Sequence, residues 1–414
     1  LNYHNYPKPS ILITIIAILC ATISAKAADT PSSSTGKVHA VRPQSYRIAS
    51  SYRRSYSYDA KAEIQAYAQL AADSYSAALA DGVQLRAAIE AFLASPSDDT
   101  LIHARDAWIN ARRSWEQTEA FRFYDGPVDV TDNGEGPQRR VDGWPVDTAA
   151  IDYTQENPTA GIVNNMKLAL TRTTLLSAQT PSGERAIVTG WHAIEFLLWG
   201  QESESGEEGD RPPTDYLAGQ PNNDRRRLYL KLTTDLLVDD LRYLVESWDP
   251  KTQDYASAFR LLNQREAVGR MMSGIALLSG EELAITRLSG ALDSKDHRML
   301  TSRFSGASYN DFTFALRGVR NVWTGDHGVE SRPGLEVLVA RTDSALAQRI
   351  AHALNLAEGS VAALRAPLER ETLPAAPGSP ARQTAERAIA DMKRLASLIR
   401  DAGVKLGVSV NLPN

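Results

Sequence analysis

The feature that most constrains this chain is a helical spacing of apolar residues that recurs from about residue 60 onward, with almost no β-branched alternation to compete with it. Between Ala60 and Ala80, the residues Ile64, Tyr67, Leu70/Ala71, Tyr75 and Ala78 return at three- and four-residue steps. That is the period at which side chains share one face of an α-helix. Asp81-Gly82 predicts an interruption, and Val83 to Leu93 resumes the pattern until Pro96. Ser97-Asp98-Asp99 offers a cap for a helix running through Trp108, Trp115 and Glu119 to Arg122. Further helices are expected over 162–176, 182–199, 228–244, 265–288, 310–323, 335–354 and 381–403. Apolar stripes of this kind must be buried against one another. The expected fold is therefore all-α: two packed helical bundles of about four helices each, with long Gly/Pro-rich loops.

Breakers divide the pattern. Residues 124–159 carry Gly126-Pro127, Asn133-Gly134, Gly136-Pro137 and Trp144-Pro145, a long irregular stretch of the sort that often bears function. Residues 201–223 are acidic and rich in Gly and Pro, the best candidate for a linker or surface excursion. These breaks place an N-terminal bundle at 59–215 and a C-terminal bundle at 216–411.

Ahead of them, Lys8 and the apolar run from Ile11 to Ala27 read as a secretory signal, 1–27, cleaved after Ala27. The run is short of the about 20 apolar residues that a permanent span requires. A flexible arm, 28–58, follows. Cys20 is the chain's one cysteine; cleavage at Ala27 leaves a thiol-free protein, and lipidation of Cys20 is the alternative. Without thiols, disulfides and thiolate metal sites are excluded, and any metal has to be held by His, Asp, Glu, Tyr or backbone oxygen. The expected location is the periplasm, with association to the outer membrane as a variant. A formal charge of -5 gives no general attraction to nucleic acid, and Arg225-Arg226-Arg227 is expected to start a helix on a solvated face.

The sharpest local feature is Gly190-Trp191-His192-Ala193-Ile194-Glu195. His192 and Glu195 are three apart, so on a helix they share one side, and imidazole and carboxylate suit iron, zinc, copper or manganese. Two donors do not complete a site, and a histidine bonded to its own neighbour is the plainer alternative. The paired histidines of the zinc-peptidase HExxH signature are absent, because Phe196 follows Glu195. On an earlier helix Arg112, Glu116 and Glu119, spaced by four and three, can share one face, and Glu119 and Arg122 can pair at i, i+3. They form either a surface ion-pair ladder or, given Trp108, Trp115, Phe121 and Phe123 around them, a set pointing inward. Asp125, Asp129, Asp142, Asp147 and Asp152 punctuate the following loop, where they either complete an oxygen-rich site beside the helical Glu and His or cap turns, and Tyr309, Asn310 and Asp311 are expected as caps.

With these residues in view, the chain resembles the imelysin-like family, also described as M75 peptidase-like, and within it an iron-regulated branch. Ala111 to Asp129, Gly143 to Tyr153 and Gly190 to Gln201, with its intact GxHxxE motif, carry the resemblance, supported by Leu277 to Leu288 and Gly318 to Asp326. The resemblance implies two packed helical bundles, export to the periplasm or outer envelope, and a link to iron uptake. It implies His192 and Glu195 as metal ligands and Glu119 as a third. Arg122, Asp147 and Glu116 would support the cleft, and the metal would be one divalent or ferric ion, iron favoured over zinc. The expected partners are a metal ion or iron chelate and an envelope iron-uptake system, with no nucleic acid and no transmembrane helix in the mature chain. Whether such a protein is a non-enzymatic iron binder, a metal-dependent peptidase or a structural envelope protein with a vestigial site stays open at this level. Two departures are visible: Thr148 stands where the family commonly has an acid, and Leu300 to Tyr309 has lost the His, acidic and Cys groups usual there.

Overall fold

Helix α1 runs without a break from Lys61 to Ala94, so the interruption expected at Asp81-Gly82 does not occur. Gly82 is where helix α4, Pro221–Trp248, crosses α1: a Cβ at Gly82 would lie 2.7 Å from Leu241 Cδ1. A mid-helix glycine costs about 1 kcal/mol against alanine, and here the close approach of two long helices offsets it. Helix α2, Asp98–Thr118, begins as the sequence predicts. Ser97 Oγ accepts from Thr100 N while Thr100 Oγ1 accepts from Ser97 N, a reciprocal cap, and Asp98 and Asp99 sit in the first turn where the helix dipole favours them.

The computed structural model describes residues 59–131, 134–179, 183–252, 254–326 and 331–410. The signal, the N-terminal arm and Cys20 lie outside the described residues. Besides α1, α2 and α4, the α-helices of eight or more residues are α3 (Trp191–Trp199), α5 (Gln264–Leu277), α6 (Ser308–Thr324), α7 (Leu335–Thr342), α8 (Ser344–Ala362) and α9 (Pro380–Leu406). Among the described residues the strands are one two-residue antiparallel pair, β1 (Val130–Thr131) with β2 (Gly134–Glu135), in which Val130 faces Glu135. The protein is all-α. Helix α5 continues over Leu278–Ser289 in wider, π-type turns, and this segment packs on α9.

Helix α1 packs against α2 and α4, while α9 packs against α5, α8 and the 278–289 segment. Helix α6 lies on α2, and one continuous apolar core joins both groups. The helix that follows the expected boundary at 215/216 thus packs with the helices that precede it. Residues 201–220 are fastened down rather than free: Arg211 and Tyr216 are buried, and Arg211 pairs with buried Asp152 at 2.8 Å.

Three expectations from periodicity fail, for local reasons: the helix expected over 335–354 is parted at Asp343, whose side chain accepts from Leu346 N and starts α8 afresh. The helix expected over 182–199 begins only at Trp191. The residues before it place their hydrogen bonds elsewhere: Ile187 O accepts from Asp147 N at 2.9 Å, and Val188 O accepts from the Tyr229 hydroxyl at 2.8 Å. The helix expected over 162–176 is two short turns, Gly161–Asn164 and Arg172–Leu176; the Asn164 amide donates to Ala160 O and Asp152, and Thr171 caps a new start. Nor do Arg225, Arg226 and Arg227 form a solvated face. Arg226 is buried against Asp152 at 2.5 Å, while Arg225 and Arg227 donate to carbonyls of residues 162, 163 and 216.

Candidate functional site

Helix α3 is nine residues long, and every one of them is buried. A helix this short cannot stand on its own propensity, so its ends are held by neighbours. Trp108 of α2 donates to Trp191 O at 3.0 Å. At the other end Tyr216, Arg105 and Arg211 N donate to the carbonyls of Leu197, Leu198 and Trp199, satisfying acceptors that the helix itself leaves open. Gly190 precedes it at φ 84°, and a Cβ there would overlap the carbonyl oxygens of Arg140 and Val141. Glycine is therefore required where α3 meets the short helix Gln138–Asp142. That contact brings Asp142 to His192.

His192 is 1 % exposed. Its Nδ1 lies 3.2 Å from Glu195 Oε2, as the three-residue spacing predicts, and its Nε2 lies 3.1 Å from Asp142 Oδ1. The other oxygen of Glu195 accepts from Ser305 N at 2.9 Å and from Ser305 Oγ at 2.7 Å. The divergent 300–309 stretch is thus the wall that closes over Glu195, with Phe304 packed on Phe196 of α3 at 5.2 Å between centroids. Burial raises the Glu195 carboxyl above its usual range, although His192 and Ser305 favour the charged form. Burial and Arg112 push the imidazole down, but Asp142 and Glu195 outweigh them and its pKa is raised.

Arg112, Glu116 and Glu119 all face inward and are essentially unexposed, so the surface-ladder alternative is excluded. Arg112 pairs with Asp142, with Glu116 and, at 3.3 Å, with Asp311. Burial alone would raise Asp142, yet Arg112, His192 and Trp115 hold its carboxyl well below the usual range. Burial wins at Glu116, whose pKa is well above normal although Arg112 opposes the shift; neither oxygen accepts a well-formed hydrogen bond. Glu119 is bound by Arg122 at 2.5 Å and by Arg287 at 2.8 Å. Arg287 projects from the wide-turned 278–289 segment and also meets Glu282 at 3.0 Å.

The sequence-derived candidates therefore separate. His192 and Glu195 adjoin each other, with Asp142 as the carboxylate on the other ring nitrogen. Glu119 has both oxygens on arginines, Arg122 and Arg287, and connects to the histidine and its carboxylates at one remove, through Arg287, Glu116 and Arg112. Arg122 is ion-paired with Glu119. Asp147 stands apart from the histidine, accepting from Ile187 N at 2.9 Å. Asp311 does not cap α6, which begins after Ala307 without a side-chain cap; it accepts from Ser302 Oγ at 2.6 Å and from Thr301, and faces Arg112. Arg287 and Ser305 are the members that sequence reasoning missed, and Asp311 was read there only as a cap. Asp142 was one of several loop acids, and nothing in its local spacing marks it out.

As folded, this set does not offer a metal three converging donors. The two nitrogens of His192 address carboxylates on opposite edges of the ring, and Glu119 is held elsewhere. Among the described residues no group of three or more His, Cys, Asp or Glu side chains is placed to hold a metal ion. Five buried carboxylates (Glu116, Glu119, Asp142, Glu195 and Asp311) share this region with Arg112, Arg122, Arg287 and one histidine. Protons or a cation must balance that excess.

Comparison with known proteins agrees with this architecture. The family model for imelysin, peptidase M75, matches residues 71–399. Iron-regulated protein A of Synechococcus elongatus (strain ATCC 33912 / PCC 7942 / FACHB-805) is 25% identical over 335 residues, covering 78% of this chain and 80% of that protein. In three dimensions the chain is similar to a protein described as an iron-regulated protein A precursor from Parabacteroides distasonis ATCC 8503. The TM-score is 0.63 at 21% identity, with 82% of this chain and 95% of that one covered. An imelysin-like protein from Psychrobacter arcticum 273-4 gives a TM-score of 0.58 at 15% identity, covering 86% and 99%. Both structures share the all-α fold, and the match of the family model over most of the sequence shows that this chain belongs to the imelysin family.

Proposed function

We infer that the protein handles iron outside the cytoplasm as a binding protein, not as a peptidase. The iron link is supported by the relative, an iron-regulated protein A. Export to the periplasm or outer envelope is supported by the apolar run ending at Ala27 and by the structural relative described as a precursor. Among the described residues no helix is long and apolar enough to cross a membrane.

The observation that carries binding over hydrolysis is the closure of the GxHxxE centre. A metallopeptidase needs an open coordination position beside a general base and a groove for the scissile bond. Here His192 and Glu195 are at most 1 % exposed, Nδ1 is hydrogen-bonded to Glu195, Nε2 lies 3.1 Å from Asp142 without a well-formed hydrogen bond, and Ser305 covers the free edge of Glu195. His192 and Glu195 are the proposed contacts for iron, either as the ion or as an iron-bearing ligand supplied to an envelope uptake system. Engagement requires their present contacts to open, and Asp142 is nearer to that centre than Glu119.

A structural role is the second reading, favoured by a network whose charges already satisfy most of one another. Anaerobic titration with Fe(II) and with Zn(II), beside a His192→Ala/Glu195→Ala variant, tests both. Saturable Fe(II) binding lost in the variant, with no cleavage of casein, is the expected result. Metal-dependent casein hydrolysis abolished by His192→Ala would establish the peptidase instead. Identical behaviour of the two proteins, without binding, would leave the structural reading.

A further inference from the structure

We propose that the cleft outside the 300–308 wall is a second binding site, for a small molecule with an apolar body and a single carboxylate gripped by Arg303. The cleft encloses about 850 Å³, within the range of small-molecule sites. Pro145, Val146, Ala150, Ile162 and Leu168 give it an apolar wall, and Arg298 and Arg303 are its cations. None of His192, Glu195 or Glu119 lines it, so the site goes beyond the iron reading and does not depend on it.

The two arginines differ in what they have left to offer. Arg298 is exposed and closed in a fork on Asp296, with contacts at 2.7, 2.9 and 3.0 Å. Arg303 is 6 % exposed and commits only Nη1, which donates to Glu202 Oε1 at 2.8 Å. Among the described residues Glu202 is its sole ion-pair partner. Its guanidinium carbon lies over the Phe304 ring, 4.4 Å from the centroid, a cation–π contact that helps to hold the group in place. A guanidinium carries five N–H donors and binds a carboxylate best in a two-pronged geometry. A buried, oriented guanidinium with uncommitted donors at the side of an apolar cleft is therefore an anchor for a carboxylate.

Charge around it limits that carboxylate to one. Asp147 also lines the cleft, and Glu202 already faces Arg303, so a second anionic group on the ligand would meet like charge. An uncharged molecule of the same shape would leave the fork unsatisfied. The position matters for the rest of the molecule as well, because Arg303 is two residues from Ser305, which holds Glu195.

Calorimetric titration with benzoate and with benzamide, which share ring and size but not charge, tests the proposal on the full chain. Benzoate should bind saturably and roughly 10-fold tighter than benzamide, the advantage of a charge-assisted pair over a neutral one. Arg303→Gln should bring benzoate to the benzamide level. Ala149→Trp, on an exposed position of the cleft wall, should weaken benzoate while leaving Arg303 in place, and it decides the matter if Arg303→Gln fails to fold. Benzoate that does not saturate, that binds no better than benzamide, or that is indifferent to Ala149→Trp overturns the assignment. Fe(II) titration of Ala149→Trp keeps the two readings separate: unchanged iron behaviour is expected, whichever way the benzoate result falls.

Discussion

Asp142 shows how much one side chain can decide. It is the carboxylate shared by Arg112, His192 and Trp115, and removing its charge leaves a buried guanidinium short of a partner. Asp142→Asn should destabilise the protein by roughly 3–5 kcal/mol. Asp147→Asn, at a half-buried acid whose role toward Ile187 N an amide oxygen can fill, should cost under about 1 kcal/mol. Urea titrations of the two variants compare them directly, and equal losses would contradict the central place of Asp142 in the network. Glu369 makes the opposite kind of prediction. Burial pushes its carboxyl from 4.5 to about 8, so between those values the folded protein keeps a proton that the unfolded chain has released. This residue therefore lowers stability as pH rises from about 5 to about 8, by roughly 1.4 kcal/mol for each pH step of one within that window, and the loss is complete above the folded value. Glu369→Gln should flatten that slope and leave the protein more stable than wild type at the alkaline end. Denaturation midpoints measured at both ends of the range read it out, and an unchanged slope would exclude the buried carboxyl as its source.

At the scale of elements, the GxHxxE motif is less a helix than a helix start. Its spacing correctly puts His192 and Glu195 on one side, but the periodicity of the preceding residues suggested a helix reaching back to 182. Helix α3 exists because Gly190 lets its first turn dock under the 138–142 segment, and because side chains from α2 and the 201–220 strap satisfy its ends. Gly190→Ala should thus be penalised twice, once for a left-handed φ and once for overlap with two carbonyls. We expect a loss of at least ~2 kcal/mol. Gly219, at φ 90° with open space around it, isolates the conformational part, and Gly219→Ala should cost only about 1 kcal/mol. Thermal unfolding of the pair separates the two contributions; similar losses would mean that the docking is slack. The 278–289 segment is a second case. Its apolar pattern reads as ordinary helix, yet it is in wide turns that it packs on α9 and delivers Arg287 to Glu119.

Across the whole molecule, what the sequence determined by itself is the part governed by short range. Apolar periodicity specified the all-α class and most long helices, Ser97 and Thr100 specified a cap, and the i, i+3 spacing specified the His192–Glu195 contact, because each depends on residues one or two turns apart. The family motifs, read in order, point to the imelysin fold. Only the tertiary structure decided which groups meet across long separations: Asp142 with His192, Asp311 with Arg112, Arg287 with Glu119, Ser305 with Glu195. Those pairings come from four different stretches of chain docking on α2, the turn that follows it and α3, and no local spacing encodes them. Burial was decided at the same level. The Arg112, Glu116 and Glu119 pattern suits a solvated ladder or an inward one equally well. The apolar packing of α6 on α2 took these charges out of water, and once there they had to pair with whatever ionic groups the fold brought within reach.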